Sequence, residues 1–326
     1  MHYELHVNGL DNAYTREFGC GCERCTRATR AANTSLSLIG LDDAGTVQHH
    51  VLFDAGSGIL ESLIENPLLR AHPRLDAVVL THWHSDHTSE LTRVTTTLAR
   101  SRRRQGLLAT PTPVLCRTGS AAWLERQYPH LHGSSVDLRR FGDSEPMGTI
   151  LEPLPLEIPG VTITPVSTAH STADLHPENP DIHHPCCAGY ILEFGATKIG
   201  LLWDLDATNL WLEDVNHPVV QRLRGADHVF FDSNTWRYDT TASGHPASHA
   251  SFSLIQRFAR TLEPRCTWLV HLSGHEDAPD DGFGWDNARW QSEARRVWAE
   301  ESLPGEVRVP EIGERIAVGV LEETRA

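Results

Sequence analysis

The chain is poor in long apolar runs, and this shortage limits what it can be. No run of about eighteen apolar residues occurs in its 326 residues, so we expect no membrane-spanning helix. The N-terminus has no basic start followed by an apolar block, which predicts the absence of a signal peptide and a cytoplasmic location. The 40% of apolar residues can still form a large core. Since no low-complexity linker divides the sequence, we expect a single domain over residues 1–326.

Positive charge is also scarce. The sequence has 28 lysines and arginines against 43 acidic residues, a net charge of −15. A surface of this sign repels phosphate backbones. The densest basic run, Arg102 to Arg104, is typical of a solvated helix end. We therefore expect a small-molecule substrate rather than a long nucleic acid, and no membrane partner. A homodimer is compatible with the sequence.

Cysteine is infrequent, and its count of seven is odd, which favours reduced thiols over a disulfide framework. Cys20, Cys22 and Cys25 lie together in the pattern C-x-C-x-x-C. This spacing allows three thiolates to converge on one tetrahedral ion and predicts a structural zinc site. Reduced surface thiols or a redox pair are the alternatives. A fourth ligand must come from elsewhere in the chain, and His249 or His245 could supply it.

The densest group of potential metal ligands is residues 82–87, which read His-Trp-His-Ser-Asp-His after an apolar, strand-like run. Residues two apart in an extended segment point the same way, so His82 and His84 can bind one ion. Asp86 and His87 then face a second position. Imidazole and carboxylate ligands suit zinc, iron or manganese. A polar loop that happens to be rich in histidine is the alternative, but the spacing and the preceding strand favour a metal site.

Four more candidate ligands stand where predicted strands end, and loops at strand ends can bring distant side chains together. A single histidine or aspartate after a strand is usually only a cap. Four of them, added to the motif at residues 82–87, are enough to bind two ions side by side. Asp206 competes with one of the four, Asp204. The four candidates are Asp54, His170, Asp204 and His271.

The apolar patterning indicates an α+β protein. Helical periodicity is clearest at residues 90–103, 119–126, 252–262 and 290–300. Strands come in runs with helices interspersed, which fits a doubly wound sheet badly. Residues 171–188 are the least regular segment, and their length predicts a lid or insert loop over a site. The strand-like runs are residues 35–40, 51–54, 76–80, 113–116, 161–166, 190–194, 198–203, 228–232 and 266–271.

The order of these pieces resembles the metallo-β-lactamase superfamily. The matching pieces are FDAGSG at 53–58, THWHSDH at 81–87, the strand ending in His170, LLWDLD at 201–206 and LVHLSGH at 269–275. The resemblance implies a four-layer αββα sandwich with the site at one edge of the sheets. It also implies that Asp54 orients the histidine loop by hydrogen bonds. The implied ligands are His82, His84 and His170 for one ion, Asp86, His87 and His271 for the other, and Asp204 bridging both.

The sequence GCGCERC at residues 19–25 narrows the resemblance to one branch of the superfamily. That branch includes the phosphonate-pathway cyclic phosphodiesterase and the pyrroloquinoline-quinone biosynthesis protein B. There, the cysteines and one histidine near a late helix bind structural zinc. His249 precedes Ala-Ser and a predicted helix, so it fits this role slightly better than His245. The complete H-x-H-x-D-H motif favours the hydrolase over the quinone-pathway protein.

The resemblance implies a binuclear hydrolase that acts on a small, possibly cyclic, phosphodiester through a hydroxide bridging two divalent ions. Zinc is our first expectation for the pair, with manganese or iron as alternatives. We expect Asp86, Asp54 and His275 to serve catalysis, with His275 as the candidate proton donor. Hydrolysis of a lactone, β-lactam or thioester would use the same pair. An iron-dependent oxidative enzyme and a binding module are further alternatives.

Overall fold

Two β-sheets form the centre of the protein. The computed structural model describes residues 1–14, 16–130, 134–241 and 243–320. Seven strands make the first sheet, in the order β15-β1-β2-β3-β4-β5-β6. The three strands β1 to β3 pair antiparallel, whereas β3 to β6 are parallel. Their bounds are β1 His2–Gly9, β2 Ser35–Leu41, β3 Val47–Phe53, β4 Ala77–Val79, β5 Thr112–Arg117, β6 Val136–Phe141 and β15 Arg315–Val320.

The second sheet has six strands in the order β14-β13-β12-β11-β10-β7. Strands β11 to β14 are parallel, and β7, β10 and β11 pair antiparallel. A separate hairpin joins β8 to β9. The bounds are β7 Val161–Ser167, β8 Leu175–His176, β9 Asn179–His183, β10 Ala188–Phe194, β11 Thr197–Leu202, β12 His228–Asp232, β13 Cys266–Val270 and β14 Glu306–Arg308.

Helices occupy the connections between strands. The longer ones are amphipathic, and α8 shows how the sequence specifies them: the Ser251 hydroxyl accepts from the backbone N of Leu254, and Phe252, Ile255 and Phe258 are buried. The helices are α1 Glu23–Thr26, α2 Ile59–Glu65, α3 Pro67–Ala71, α4 Ser85–Thr88, α5 Leu91–Arg104, α6 Thr118–Gln127, α7 Pro218–Leu223, α8 Phe252–Leu262 and α9 Asn287–Glu300, with a 3₁₀ helix at Leu210–Glu213.

Alternating side chains of the first sheet serve two different apolar cores. Val51 and Phe53 of β3 face the second sheet, in a core that also contains Tyr190 of β10. Leu52, between them, packs on the opposite face with Ile59 of α2. This period-two alternation is what a strand buried on both faces requires. The resulting order of helices, sheet, sheet and helices confirms the predicted αββα sandwich.

The structure corrects the predicted elements mainly in the irregular segment. Residues 171–188 contain the β8–β9 hairpin and are therefore more regular than the sequence suggested. Strands β1, β6, β14 and β15 and helices α1, α2, α3, α4 and α7 were absent from the prediction. No helix within the described ranges is long and apolar enough to cross a membrane.

Candidate metal centre

The candidate ligands collect at the edge where the parallel strands of both sheets end. Asp54 follows β3, Asp204 lies just after β11, and His271 directly follows β13. All three have a positive φ, of 60°, 61° and 60° respectively. This left-handed conformation is uncommon outside glycine, although Asp and His adopt it more readily than most residues. Backbone strain of this kind is often concentrated at functional sites.

His82, His84 and His170 form the first group, with their potential ligand atoms within 4.8 Å of one another. His170 Nδ1 donates to the backbone oxygen of Ser248 at 2.8 Å, which leaves its Nε2 for an ion. Burial, reinforced by neighbouring histidines, lowers the pKa of His82 well below its ordinary value and that of His84 to about 4. The neutral form that these shifts favour is the one that binds metals.

Asp86, His87, Asp204 and His271 form the second group, again within 4.8 Å. The backbone N of His87 bonds to the His84 oxygen at the start of α4, which turns Asp86 and His87 towards the sheet edge. Burial lowers the pKa of His271, but the carboxylates of Asp204 and Asp232 outweigh it and raise that pKa to about 9. The same negative potential favours a bound cation.

Asp54 fixes the loop at residues 81–87, which carries members of both groups. Its Oδ2 accepts from His87 Nδ1 at 2.8 Å, so His87 presents Nε2 to the second group. The same carboxylate accepts from the backbone N and the hydroxyl of Thr81, at 2.8 and 2.9 Å, and from Trp203 Nε1 at 2.8 Å. Asp54 is fully buried, and these are the orienting hydrogen bonds expected of it.

Asp204 lies between the two groups. Its Oδ2 is 2.7 Å from His87 Nε2 and 3.2 Å from His82 Nε2, and its Oδ1 is 3.5 Å from His170 Nε2. Four of these atoms are buried and have no hydrogen-bond partner among the described residues: the two Asp204 oxygens and the Nε2 atoms of His82 and His87. Lone pairs that crowd together in this way fit divalent cations, for which imidazole and carboxylate are suitable ligands.

His249 stands beside the metal centre rather than beside the cysteines. Its Nδ1 is 2.9 Å from Asp204 Oδ1 and 3.2 Å from Asp232 Oδ2, and its side chain is 19% exposed. With Asp204, Asp232 and His271 it forms another possible ligand group. Asp232, however, already accepts from the backbone N of Leu205 and of Asn234. We therefore interpret Asp232 as the residue that orients the His249 and His271 rings.

The three cysteines meet His275, and this corrects two of our assignments. His275 Nε2 lies 3.5 Å from the Sγ of Cys22 and 3.4 Å from that of Cys25, and Cys20 completes the group within 4.8 Å. Three thiols and an imidazole are the ligands of a tetrahedral zinc site. His275 therefore does not face the metal centre as a proton donor, and His249 is not the fourth member of the cysteine group.

The alternative fourth ligand, His245, is also excluded from the cysteine group. It is exposed, and its backbone N bonds to the hydroxyl of Thr241 in the same loop. Of Asp204 and Asp206, the structure places Asp204 among the candidate ligands. Asp206 accepts from the backbone N of Ser171 and of Thr208, so it braces the loop behind the centre.

The sequence model of the β-lactamase superfamily domain matches residues 49–272, which include every member of both histidine groups. The chain belongs to the β-lactamase superfamily. The predicted superfamily and its fold are thereby confirmed.

Two solved structures of the superfamily's fold resemble nearly the whole chain. A diphosphatase from the PhnP family is 20% identical, with a TM-score of 0.64 and coverage of 97% of each chain. Zn(2+)-bound PqqB from Methylobacterium extorquens is 16% identical, with a TM-score of 0.63 and coverage of 96% of this chain and 99% of the other. At these identities, the likeness shows a shared fold.

A curated protein matches a short stretch of the chain. The atrochrysone carboxyl ACP thioesterase of Aspergillus fumigatus is 50% identical over 46 residues. The match covers 14% of this chain and 11% of the relative, so the chain spans about one ninth of that protein.

The structure adds residues to the superfamily site that sequence reasoning missed. Asp232 is one, although it ends β12 just as other candidates end their strands, and the same rule would have found it. Asp174 is another: its Oδ2 accepts from the backbone N of His170 at 2.9 Å, and its Oδ1 from that of Cys186 at 2.7 Å. No spacing signal marked Asp174, because its partners are brought together by the hairpin.

Proposed function

We propose that this protein is a metal-dependent hydrolase that binds two divalent ions and cleaves a small phosphate ester, with cyclic phosphodiesters included. The observation that carries the proposal is the position of Asp204 between two groups of ligands, with its oxygens within 2.7–3.5 Å of ring nitrogens from both. An ion in each group would share this carboxylate, which is the arrangement of a two-metal hydrolytic site.

The chain's own residues divide the work in this proposal. His82, His84 and His170 hold the first ion, and Asp86, His87 and His271 the second. Asp54 and Asp232 keep the rings oriented through their buried carboxylates. Two bound ions would supply Lewis acidity, which would polarise the scissile bond and lower the pKa of bound water towards neutral pH. Zinc is our first choice for both positions because the ligands are imidazole and carboxylate, with manganese or iron as alternatives.

His249 is our candidate for the proton donor to the leaving group. Its Nδ1 forms a hydrogen bond with Asp232 and lies 2.9 Å from Asp204 Oδ1, and the ring remains partly exposed beside the centre. The second ring nitrogen is then available to a bound substrate. This role replaces the one expected of His275, whose Nε2 faces the thiols.

The net charge supports a small substrate, because a surface with −15 charges disfavours a polyanion. Thioester hydrolysis is the second candidate function, favoured by the 46-residue match to a thioesterase. Both reactions would use the same ligands and differ in what the walls of the site accept. The cysteine group with His275 would hold a separate structural zinc ion.

The proposed hydrolase function is tested by measuring hydrolysis of bis-p-nitrophenyl phosphate. The proteins compared are wild type, His84→Ala and Asp86→Asn. Each variant removes a ligand from one group, and we expect the rate to fall at least about 100-fold. His72→Ala and Asp43→Asn change exposed residues of the same types and should keep wild-type rates. If neither ligand variant loses activity, the metal-dependent hydrolase assignment is wrong.

Metal analysis and a second substrate separate the remaining alternatives. We expect about three ions per purified chain, two for the centre and one for the cysteine group. Faster cleavage of an acyl thioester than of the phosphodiester would support the second candidate. Iron in the centre together with oxygen consumption would instead support an oxidative enzyme.

A further inference from the structure

One short segment carries a member of the metal centre and a member of the cysteine group. His271 directly follows β13, and His275 lies four residues later. The backbone between them is tightly packed, since a Cβ added at Gly274 would lie 2.5 Å from the backbone oxygen of Gly282. If His275 moves, the tightly packed backbone between the two residues cannot adjust freely, so His271 is expected to move as well.

A first path of buried hydrogen bonds joins the cysteine loop to the backbone of His271. Arg24, within α1 of that loop, donates from Nη1 to Asp11 Oδ1 at 2.6 Å. The backbone oxygen of Asp11 accepts from the backbone N of Thr34 at 2.9 Å and from its Oγ1 at 3.2 Å. Thr34 Oγ1 in turn accepts from the backbone N of His271 at 3.0 Å. Each bond involves residues that are fully buried.

A second path reaches the His271 ring. His275 Nδ1 is 2.9 Å from Ser273 Oγ, and the backbone N of Ser273 donates to the Asn234 oxygen at 3.0 Å. The backbone N of Asn234 donates to Asp232 Oδ1 at 3.0 Å, and this oxygen is 3.5 Å from His271 Nδ1. The cysteine loop thus contacts both the backbone and the ring environment of the same ligand.

The first path cannot easily rearrange because it contains buried charge. Arg24 and Asp11 are both 0% exposed, and Arg27 donates to the other Asp11 oxygen. Separating these charges would leave one of them buried without a partner. His271 itself has a positive φ of 60°, a conformation that persists only where its surroundings hold it.

We propose that Thr34 is a positioning residue that makes ion binding by Asp86, His87 and His271 depend on the structure of the cysteine loop. The inference rests on the proposed two-ion centre and adds a coupling between it and the cysteine group. Loss of the Thr34 hydroxyl lowers the affinity for the ion at His271 by roughly 10–100-fold, as for other residues that orient a metal ligand. The ion at His82, His84 and His170 keeps its affinity, because Thr34 contacts none of these residues among the bonds described.

The experiment titrates Co²⁺ into chelator-stripped, full-length protein and measures affinities by calorimetry and absorption. Cobalt bound by thiolates has a charge-transfer absorption that nitrogen and oxygen ligands lack, so the cysteine-loop ion is counted separately. Thr34→Val removes the hydroxyl at nearly constant shape, and Thr34→Ser restores it. Thr267→Val is the matched control, since Thr267 is buried in β13 and its hydroxyl has no hydrogen-bond partner in the described ranges.

A Cys22→Ser variant tests the other end of the path. With the cysteine group disabled, we expect the same selective loss of the ion at His271. The inference is supported if Thr34→Val and Cys22→Ser weaken one ion of the centre while Thr34→Ser and Thr267→Val bind as wild type. It is overturned if Thr34→Val binds both ions normally, or if Thr34→Ser fails to restore binding. Either of these overturning results would leave the hydrolase proposal intact. Binding of fewer than two ions in the centre of wild type would instead contradict both the hydrolase proposal and the coupling.

Discussion

His50 is a fully buried histidine that takes no part in the metal centre. Its Nδ1 donates to the backbone oxygen of Arg74, and its Nε2 accepts from the hydroxyl of Ser37 at 2.9 Å. This pattern needs a neutral ring with one donor and one acceptor nitrogen. Burial lowers the pKa of His50 to about 4, from an ordinary value of 6.5. The folded protein therefore takes up this proton less readily than the unfolded chain.

The lowered pKa predicts acid sensitivity that originates at His50. Its contribution to stability is present above about pH 6.5 and is lost as the pH falls from there through about 4. We expect the stability advantage of wild type over His50→Gln to shrink by about 1 kcal/mol between pH 7.5 and 5.5. Urea unfolding at both pH values measures it. His72→Gln, at an exposed histidine, controls for the lost charge, and an unchanged wild-type advantage for His50 would contradict the prediction.

Individual ligands were predictable from sequence where their spacing was local, and where they stand at the end of a predicted strand, as His170, Asp204 and His271 do. His82, His84, Asp86 and His87 lie within six residues, and the strand before them fixes their directions. His249 and His275 lie in each other's expected positions, because each belongs to a long loop whose path is set by tertiary contacts. The bonds of His275 to thiols some 250 residues earlier carry no periodic signal in the sequence.

At the scale of elements, a helix with a strong apolar period and a capping residue was predictable, whereas short polar strands were not. The α8 prediction agrees with the structure at both ends, because its apolar period is strong and Ser251 caps its start. In β1, Tyr3, Leu5 and Val7 alternate with less apolar residues, so the sequence carries a period-two signal from which this strand is predictable. The hairpin at residues 175–183 has no such signal, since its strands are short and largely polar.

The β8–β9 hairpin is attached to the metal loop and to α6 by two stacked tryptophans. Trp83 and Trp123 lie parallel with ring centroids 4.0 Å apart. Their indole nitrogens donate to the backbone oxygens of Ala173 and Leu175, both at 2.8 Å. Ala173 is buried beneath them. We therefore interpret the segment as a wall fixed beside the first group of ligands, and propose that it limits which substrates enter.

Loosening this attachment should change substrate binding without changing metal content. Trp123→Phe keeps an aromatic ring but loses the donor, at a cost of about 1 kcal/mol to the local structure. Trp123→Ala also loses the stacking, and we expect roughly 10-fold faster amide exchange in residues 175–183. Mass-spectrometric hydrogen exchange measures this, with KM for the ester altered more than kcat. Unchanged exchange in Trp123→Ala would contradict the anchoring role.

At the scale of the whole molecule, the densest run of positive charge lies away from the candidate centre. The densest basic run forms the last turn of α5, with Arg102, Arg103 and Arg104. Arg102 lines a cavity with Thr112 and Val136, the first residues of β5 and β6. The metal centre lies at the opposite ends of the parallel strands. The basic run therefore cannot place an anionic substrate near the centre.

The net charge of −15 predicts an unusual salt dependence for an enzyme acting on an anionic ester. Salt screens repulsion between protein and substrate, with a Debye length of about 10 Å at 0.1 M. We expect kcat/KM for bis-p-nitrophenyl phosphate to rise about two- to threefold between roughly 20 and 300 mM NaCl. A neutral thioester substrate, assayed in parallel, should show no such rise. A fall in kcat/KM with salt would indicate a locally positive entrance, and would reopen the question of a nucleic-acid substrate, because counterion release makes such binding weaker as salt increases.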